Sequence, residues 1–130
     1  MSLSVTRILE DPRLNGVYRL DSPSDRLPVL DGRVLTDKEG LLAALGWALE
    51  FPDYYGANWD ALEECLTDMS WRPGPIALHI EHADALDPEL LHTLMDIFMD
   101  AADAWHEEGR PCSLFLSGLK NTDLPTASPD

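Results

Sequence analysis

The sequence predicts a small α/β domain, in which a three-stranded, mainly parallel sheet is packed by about three main helices. The first observation behind this prediction is that short, strand-like apolar or alternating segments are separated by longer segments with apolar residues at helical spacing. The second is that strands alternating with helices favour parallel pairing, with the helices packed against the sheet. The third is composition: 130 residues, 45% of them hydrophobic and four of them tryptophan, are enough for one hydrophobic core.

The first strand has two candidates near the N-terminus. Residues 1–15 carry weak signals and a helix-breaking Pro12, so we treat them as an N-terminal extension. Gly16–Leu20 alternates apolar and polar residues, as half-buried strands do. Leu27–Leu30 is a second short apolar segment, and the Asp31-Gly32 pair after it is a strong turn signal. We expect only one of the two segments to be the first core strand.

A helix is predicted between this region and Pro52. Thr36 and Glu39 have the spacing of a capping box, in which two polar side chains satisfy free amides at the start of a helix. The helix should end near Glu50 and Phe51, because the residue before a proline disfavours the helical conformation. The apolar residues at helical spacing between these limits are Leu41, Leu42, Leu45, Ala48 and Leu49.

The second half of the chain continues the alternation. Ile76–Ile80 predicts a central strand, because both of its faces begin with apolar or small residues. Residues 87–108 predict a helix that opens with an Asp-Pro pair, and Gly109 is its expected C-terminal stop. Cys112–Leu116 is a short apolar strand. Residues 119–130 contain two prolines and predict a frayed, flexible tail.

The segment from Pro52 to Thr67 is the most informative part of the sequence. Pro52 and Gly56 predict a turn, since proline restricts φ and glycine permits unusual φ values. Asn58 suits the N-cap of the helix that follows, because its side-chain oxygen can accept a hydrogen bond from a first-turn amide. The apolar stripe of this helix consists of Ala61, Leu62, Cys65 and Leu66. The opposite stripe, which we name the acidic face, consists of Asp60, Glu63, Glu64 and Thr67.

The acidic face has two interpretations. It can be an ordinary solvated helix surface, which is what most charged stretches are. It can also bind a partner rich in Lys and Arg, and Tyr54 and Tyr55 in the preceding turn favour this second interpretation. Tyrosine beside charged residues is typical of interface anchors. A second interpretation of the tyrosines is that at least one of them packs under the turn instead of contacting a partner.

Composition restricts the class of partner. With 24 Asp plus Glu against 9 Lys plus Arg, the formal net charge is −15 at pH 7, which repels nucleic acid and anionic membranes and attracts basic proteins. No apolar segment approaches the ~20 residues of a membrane span, and the first residues lack the apolar core of a signal peptide. We therefore expect a cytoplasmic protein, and a monomer in the free state. We interpret Cys65 and Cys112 as buried thiols that pair, if ever, only under oxidation.

The sequence offers little for catalysis or metal binding. His79 and His82, beside Glu81, are the one metal-like group, and its alternative is an ordinary strand end. Asp60 and Glu64 could form a carboxylate pair for glycoside hydrolysis, but both lie on one exposed face and lack the contrasting environments that such catalysis needs. We expect no enzyme activity, no metal and no cofactor.

One region of the sequence resembles the barstar family, the intracellular inhibitors of secreted guanyl-specific ribonucleases. The resemblance is carried by Pro52–Gly56, by Asn58 with Asp60–Leu62, and by Cys65–Thr67, and it extends over residues 16–118. It implies a single α/β domain that blocks the active site of a basic ribonuclease with the acidic helix and the turn before it. An acidic interaction module of the same fold that binds another basic partner is the alternative.

The resemblance also implies which residues contact the ribonuclease. Asp60 and Glu64 would meet the cations of the catalytic site as mimics of the substrate phosphate. Glu63 and Glu64 depart from the family's prototype, which has Trp and the shorter Asp at these positions. A further carboxylate from the last helix would be Asp100 or Asp103. The full set of predicted contacts is Tyr54, Tyr55, Gly56, Asn58, Trp59, Asp60, Glu63, Glu64 and Thr67.

Overall fold

The computed structural model of the protein describes residues 3–120 and 122–130. Residues 1, 2 and 121 lie outside the described residues. Residues 1 and 2 belong to the predicted N-terminal extension, and residue 121 belongs to the predicted C-terminal tail. The predicted boundaries between extension, domain and tail remain a prediction. Elements on both sides of those boundaries belong to one sheet.

Among the described residues, six strands form one sheet and four α-helices pack against it. The strands are β1 (Leu3–Ser4), β2 (Gly16–Leu20), β3 (Val29–Asp31), β4 (Ile76–Glu81), β5 (Cys112–Leu116) and β6 (Thr126–Ser128). The helices are α1 (Val5–Glu10), α2 (Lys38–Ala48), α3 (Trp59–Asp68) and α4 (Pro88–Glu108). All pairings are parallel, in the order β1-β6-β2-β5-β4-β3. Over the described ranges, none of the helices combines the length and the hydrophobicity that a bilayer span requires.

The sheet is wider than the three strands predicted. Both N-terminal candidates contribute a strand, since Gly16–Leu20 is β2 and the second segment supplies β3. The expected frayed tail is wrong for Thr126–Ser128, because these residues pair with β1 on one side and with β2 on the other. Strands of two or three residues are too short for an alternating pattern, so backbone hydrogen bonds to distant segments determine them.

Helices cover both faces of the sheet. Ile76, Leu78 and Ile80 of β4 belong to the larger core cluster, which also contains the apolar stripes of α2, α3 and α4. Ala77 belongs to a smaller cluster on the opposite face, together with Ile8 of α1. The α/β class and the parallel sheet are therefore confirmed. The helix that carries the acidic face lies between α2 and α4 in sequence and shares their side of the sheet.

Local caps set the ends of the helices, mostly where predicted. Asp87 caps α4 by accepting hydrogen bonds from two first-turn amides, and Gly109 ends that helix in the left-handed conformation, with φ of +76°. The capping box predicted at Thr36 is wrong by one residue. Asp37 is the N-cap of α2, and its carboxylate accepts a hydrogen bond from the Gly40 amide at 2.7 Å. A charged acceptor is favoured at this end of a helix because it also interacts with the helix dipole.

Both cysteines lie in the protein interior. Cys65 and Cys112 are free and buried, which confirms their interpretation as buried thiols. Burial raises the pKa of both thiols, that of Cys112 to about 12. The thiolate, which is the reactive form, is therefore disfavoured at both positions.

Candidate functional site

The acidic face lies on a helix whose start has the predicted cap. α3 begins at Trp59, and the side-chain oxygen of Asn58 accepts a hydrogen bond from the Ala61 amide at 2.8 Å. The opposite side of α3 is anchored in the larger core by Leu62 and Leu66, both fully buried. A helix that is capped at its start and packed along one side holds its outer side chains on a defined surface.

The structure brings the four residues of the acidic face together on the surface. Asp60, Glu63, Glu64 and Thr67 are all exposed. Among the described residues, none of the three carboxylates has a Lys, Arg or His nitrogen within 4.0 Å. The Thr67 hydroxyl donates to the Glu63 carbonyl at 2.8 Å. The face therefore presents three carboxylates that an incoming cation can reach without displacing an internal ion pair.

The two tyrosines of the turn occupy different environments. Tyr54 is 73% exposed. Tyr55 is half-buried, and its hydroxyl donates to the Leu42 carbonyl of α2 at 2.9 Å. Its ring stands edge-on to Phe51, with the ring centroids 4.8 Å apart, and burial raises the pKa of Tyr55 to about 12. Tyr55 thus packs under the turn, in agreement with the second interpretation of the tyrosines. Tyr54 remains exposed to solvent.

Tyr54 borders the acidic face. The pKa of Tyr54 is raised mainly by desolvation. The negative charges of Asp68 and Glu64 add to this shift. These two carboxylates are one helical turn apart on α3, so the phenol ring lies beside the C-terminal half of that helix. Asp68 is exposed and belongs to the same surface, although it was not among the predicted residues of the acidic face.

Two of the predicted contacts differ in detail from expectation. Gly56 is exposed, but its φ is not positive, and the left-handed residue of the turn is Ala57, with φ of +50°. The turn is present as predicted, but Ala57 rather than Gly56 adopts its left-handed conformation. Trp59 is half-buried, and the Lys38 ammonium lies 5.9 Å from the centroid of its ring. Trp59 thereby connects the start of α3 to the start of α2.

On its other side, the acidic face meets α4. A groove of about 370 Å³ between the two helices is lined by Thr67 of α3 and by Ala104, Trp105 and Glu108 of α4. Glu108 was not among the predicted contacts. It lies in the last turn of α4, where the helix dipole disfavours a carboxylate.

Asp100 and Asp103, the two carboxylates of α4 that the family resemblance suggested, are both exposed. Neither of them lines the groove beside Thr67. Asp100 precedes Ala104 by one helical turn and so lies on the same side of α4 as the groove, whereas Asp103 is rotated away from it.

His79 and His82, the metal-like pair beside Glu81, lie in different environments. His79 is buried, with Nε2 3.3 Å from the Ser117 hydroxyl oxygen, whereas His82 is exposed and follows the end of β4. In residues 3–120 and 122–130, no group of three or more His, Cys, Asp or Glu side chains is arranged to hold a metal ion.

Two comparisons with known proteins bear on this surface. Among curated proteins, "Putative ribonuclease inhibitor YrdF" of Bacillus subtilis (strain 168) is 43% identical over 54 residues, which are 42% of this chain and 57% of that relative. The chain thus spans little more than half the length of this relative. A family model described as Barstar (barnase inhibitor) matches residues 26–117, which include the turn, α3 and α4. Because that match covers most of the 130 residues, the chain belongs to the barstar family.

Proposed function

We propose that this protein inhibits a basic ribonuclease by covering its active site with the acidic face of α3 and the turn before it. The observation that carries the proposal is the set of exposed carboxylates of Asp60, Glu63 and Glu64, which have no internal ion pair among the described residues and lie on a capped, packed helix. Membership of the barstar family and the printed name of the Bacillus subtilis relative support the same function.

The chemistry of the proposal follows from what a ribonuclease must do. An enzyme that cleaves RNA places Arg and Lys side chains around the scissile phosphate. The carboxylates of Asp60 and Glu64 can occupy those anion sites and form charge-assisted hydrogen bonds, bidentate where Arg is the donor. Because α3 is already ordered, little conformational entropy is lost when these bonds form. The net charge of −15 accelerates the encounter with a basic enzyme.

The other predicted contacts divide into outer and supporting residues. Tyr54 is the exposed aromatic anchor at the rim, and Gly56 and Asn58 are exposed in the turn beside it. Tyr55 and Trp59 are half-buried and hold the turn and the start of α3 in place. At the far end of the face, we infer that Thr67 acts together with Glu108.

Glu108 is a better candidate than Asp100 or Asp103 for the carboxylate that α4 contributes. It lines the groove that Thr67 also lines, and the other two residues do not. In this proposal the inhibitor acts stoichiometrically, as a monomer in the cytoplasm, with no catalytic residues and no cofactor.

The experiment is a titration of the protein into a panel of basic guanyl-specific ribonucleases, with RNA cleavage followed at low and moderate salt. We expect one-to-one inhibition whose onset slows as salt screens the charges. The double variant Asp60→Ala/Glu64→Ala should weaken inhibition by at least 100-fold, corresponding to about 3 kcal/mol. Its stability should change by less than about 0.5 kcal/mol, because both side chains are exposed.

The matched control is Glu10→Ala/Asp25→Ala, which removes the same charge from exposed positions in the N-terminal part of the chain. This variant should inhibit like the parent. Equal losses in the two double variants would mean that net charge, rather than the acidic face, carries the inhibition. If no ribonuclease of the panel is inhibited while the parent still binds another basic protein through Asp60 and Glu64, the interaction module replaces the inhibitor as the proposed function.

A further inference from the structure

The segment that follows α3 is held by a side chain from beyond the end of α4. The Arg110 guanidinium donates hydrogen bonds to the carbonyls of Met69 at 2.9 Å and Gly74 at 2.8 Å, and to the carbonyl of Arg72. The left-handed Gly109 makes this possible, because it reverses the chain so that the Arg110 amide donates back to a carbonyl of the last turn of α4.

Trp105 completes the connection between the two helices. The guanidinium carbon of Arg110 lies 5.0 Å from the centroid of the Trp105 ring, within the range of a cation–π interaction. The indole N–H of Trp105 donates to the Leu66 carbonyl of α3 at 2.7 Å. Two side chains that contact each other thus bind the Leu66 and Met69 carbonyls at the end of α3. We name Arg110 and Trp105 the helix clamp.

The end of α3 needs such a clamp for an electrostatic reason. The last carbonyls of a helix have no partner within the helix and carry the negative end of its dipole. The last turn of α3 contains no basic residue of its own, and it carries the exposed Asp68, with Glu63 and Glu64 one turn earlier. Met69, the C-cap, is left-handed with φ of +43° and is 1% exposed. Arg110 supplies the missing cation from another part of the chain.

We propose that Arg110, supported by Trp105, is a positioning residue that sets the placement of the acidic face for its partner, an inference that rests on the proposed function. In this proposal Arg110 makes no contact of its own with the partner. It acts through α3, because Met69 and the segment up to Gly74 can shift only if these hydrogen bonds break. A bidentate carboxylate–guanidinium contact is sensitive to small displacements, so loosening the end of α3 misplaces Glu64 and Thr67.

The first test compares inhibition by Arg110→Met, Arg110→Lys and Trp105→Phe with inhibition by the parent. Methionine keeps the length of the side chain without its charge, and we expect at least 10-fold faster dissociation of the ribonuclease complex. Lysine restores the charge but lacks the planar fork that serves three carbonyls, so its loss should be smaller. Phenylalanine at position 105 retains a ring for Arg110 but loses the hydrogen bond to Leu66. We expect the dissociation rate of Trp105→Phe to lie between those of Arg110→Lys and Arg110→Met.

The control separates positioning from general stability. The control variant weakens the small core on the other face of the sheet, where Ile8 lies. It is Ile8→Val or Ile8→Ala, whichever has the unfolding midpoint closer to that of Arg110→Met. At a temperature where all variants are fully folded, the Ile8 variant should dissociate at the rate of the parent. Equal dissociation rates for Arg110→Met and the parent would overturn the proposal, as would equal losses for Arg110→Met and the Ile8 variant.

A second readout needs no ribonuclease. Amide hydrogen exchange at Leu66–Met69 should be at least 10-fold faster in Arg110→Met than in the parent, while exchange at Leu41–Leu45 of α2 stays unchanged. Unchanged exchange at Leu66–Met69 contradicts the clamp, whatever the inhibition. If exchange rises as expected but the parent inhibits no ribonuclease, the proposed function fails and the clamp is supported.

Discussion

At the scale of single residues, His79 shows how a strand position becomes a titrating site. It is 1% exposed and lies on the face of β4 that carries Ala77, opposite to the acidic helix. Its Nδ1 atom is buried and has no hydrogen-bond partner in the part of the chain that the structure describes. Burial lowers the pKa of His79 below the usual 6.5, and the charge of Glu81 and the nearby Leu20 backbone oppose part of this shift.

The lowered pKa predicts a pH dependence of stability. The unfolded chain takes up a proton at this histidine near pH 6.5, whereas the folded protein does so only at lower pH. The His79 contribution to stability is therefore complete above about pH 7 and is lost as the pH falls from 6.5 towards the pKa of the folded state. Urea unfolding at pH 7.5 and pH 5.0 measures the loss, above the range in which most carboxylates titrate.

Two histidine variants test this assignment. His79→Gln should lose much of the difference in unfolding free energy between pH 7.5 and pH 5.0. His82→Gln, at an exposed position just after β4, is the control and should keep the difference seen in the parent. A pH dependence that persists unchanged in His79→Gln would assign it to other groups.

At the scale of elements, the placement of the turn depends on a close contact with α2. Gly46 lies against the ring of Tyr55, and a Cβ atom at Gly46 would come within 2.7 Å of a ring carbon. The ring cannot move away easily, because its hydroxyl is bound to the Leu42 carbonyl and its edge meets Phe51. A glycine in the middle of a helix is therefore explained by packing, and it determines that Tyr55 lies under the turn and Tyr54 outside.

Gly46→Ala tests this contact because two effects oppose each other. Alanine improves helix propensity by ~1 kcal/mol, whereas overpacking a close contact costs ~1–3 kcal/mol. We expect a net loss of ~1 kcal/mol in the free energy of unfolding, together with weaker inhibition, since the turn that carries Tyr54 must shift. Urea unfolding and ribonuclease titration measure the two effects.

The control for Gly46→Ala is the reverse exchange at an exposed position of the same helix. Ala43→Gly removes only an exposed methyl group, and it should lower stability by ~0.5–1 kcal/mol while leaving inhibition intact. A gain in stability for Gly46→Ala would mean that the ring of Tyr55 accommodates the methyl group.

At the scale of the whole molecule, the residues matched by the family model contain only half of the six-stranded sheet. The matched residues 26–117 contain β3, β4 and β5, which are adjacent in the sheet. The residues on either side of the match supply β1, β2 and β6, and these extend the sheet beyond β5. The extension is built from both ends of the chain, with β6 between β1 and β2.

This arrangement predicts that the C-terminal residues are structural. Removing residues 125–130 deletes β6, the bond from the Arg19 amide to the Pro125 carbonyl at 2.8 Å, and the buried Ala127. We expect a loss of ~2–4 kcal/mol in the free energy of unfolding, comparable with large deletions in a core. Inhibition should persist at temperatures where the shortened chain is folded, because α3 packs on the opposite face.

A chain that ends at Ser128 is the control, since it keeps all of β6 and should lose much less stability. Urea unfolding of both shortened chains and of the parent provides the measurement. An unchanged unfolding midpoint after removal of residues 125–130 would contradict the structural role of β6.

The sequence by itself determined the features that rest on neighbouring residues. The apolar stripes of α2 and α4, the Asn58 cap and the exposed acidic face were all predictable, because helical periodicity and capping act within a few residues. The α/β class followed from the alternation of strands and helices. The Pro52–Gly56 turn with Asp60–Leu62 was specific enough to indicate the barstar family.

Only the tertiary structure decided the features that join distant parts of the chain. The place of β6 between β1 and β2 depends on backbone hydrogen bonds between the two ends of the chain. The burial of Tyr55 rather than Tyr54 depends on the space at Gly46, and the end of α3 depends on Arg110. Local pattern could not indicate these contacts, because each is formed by residues that meet only after the sheet and its helices have assembled.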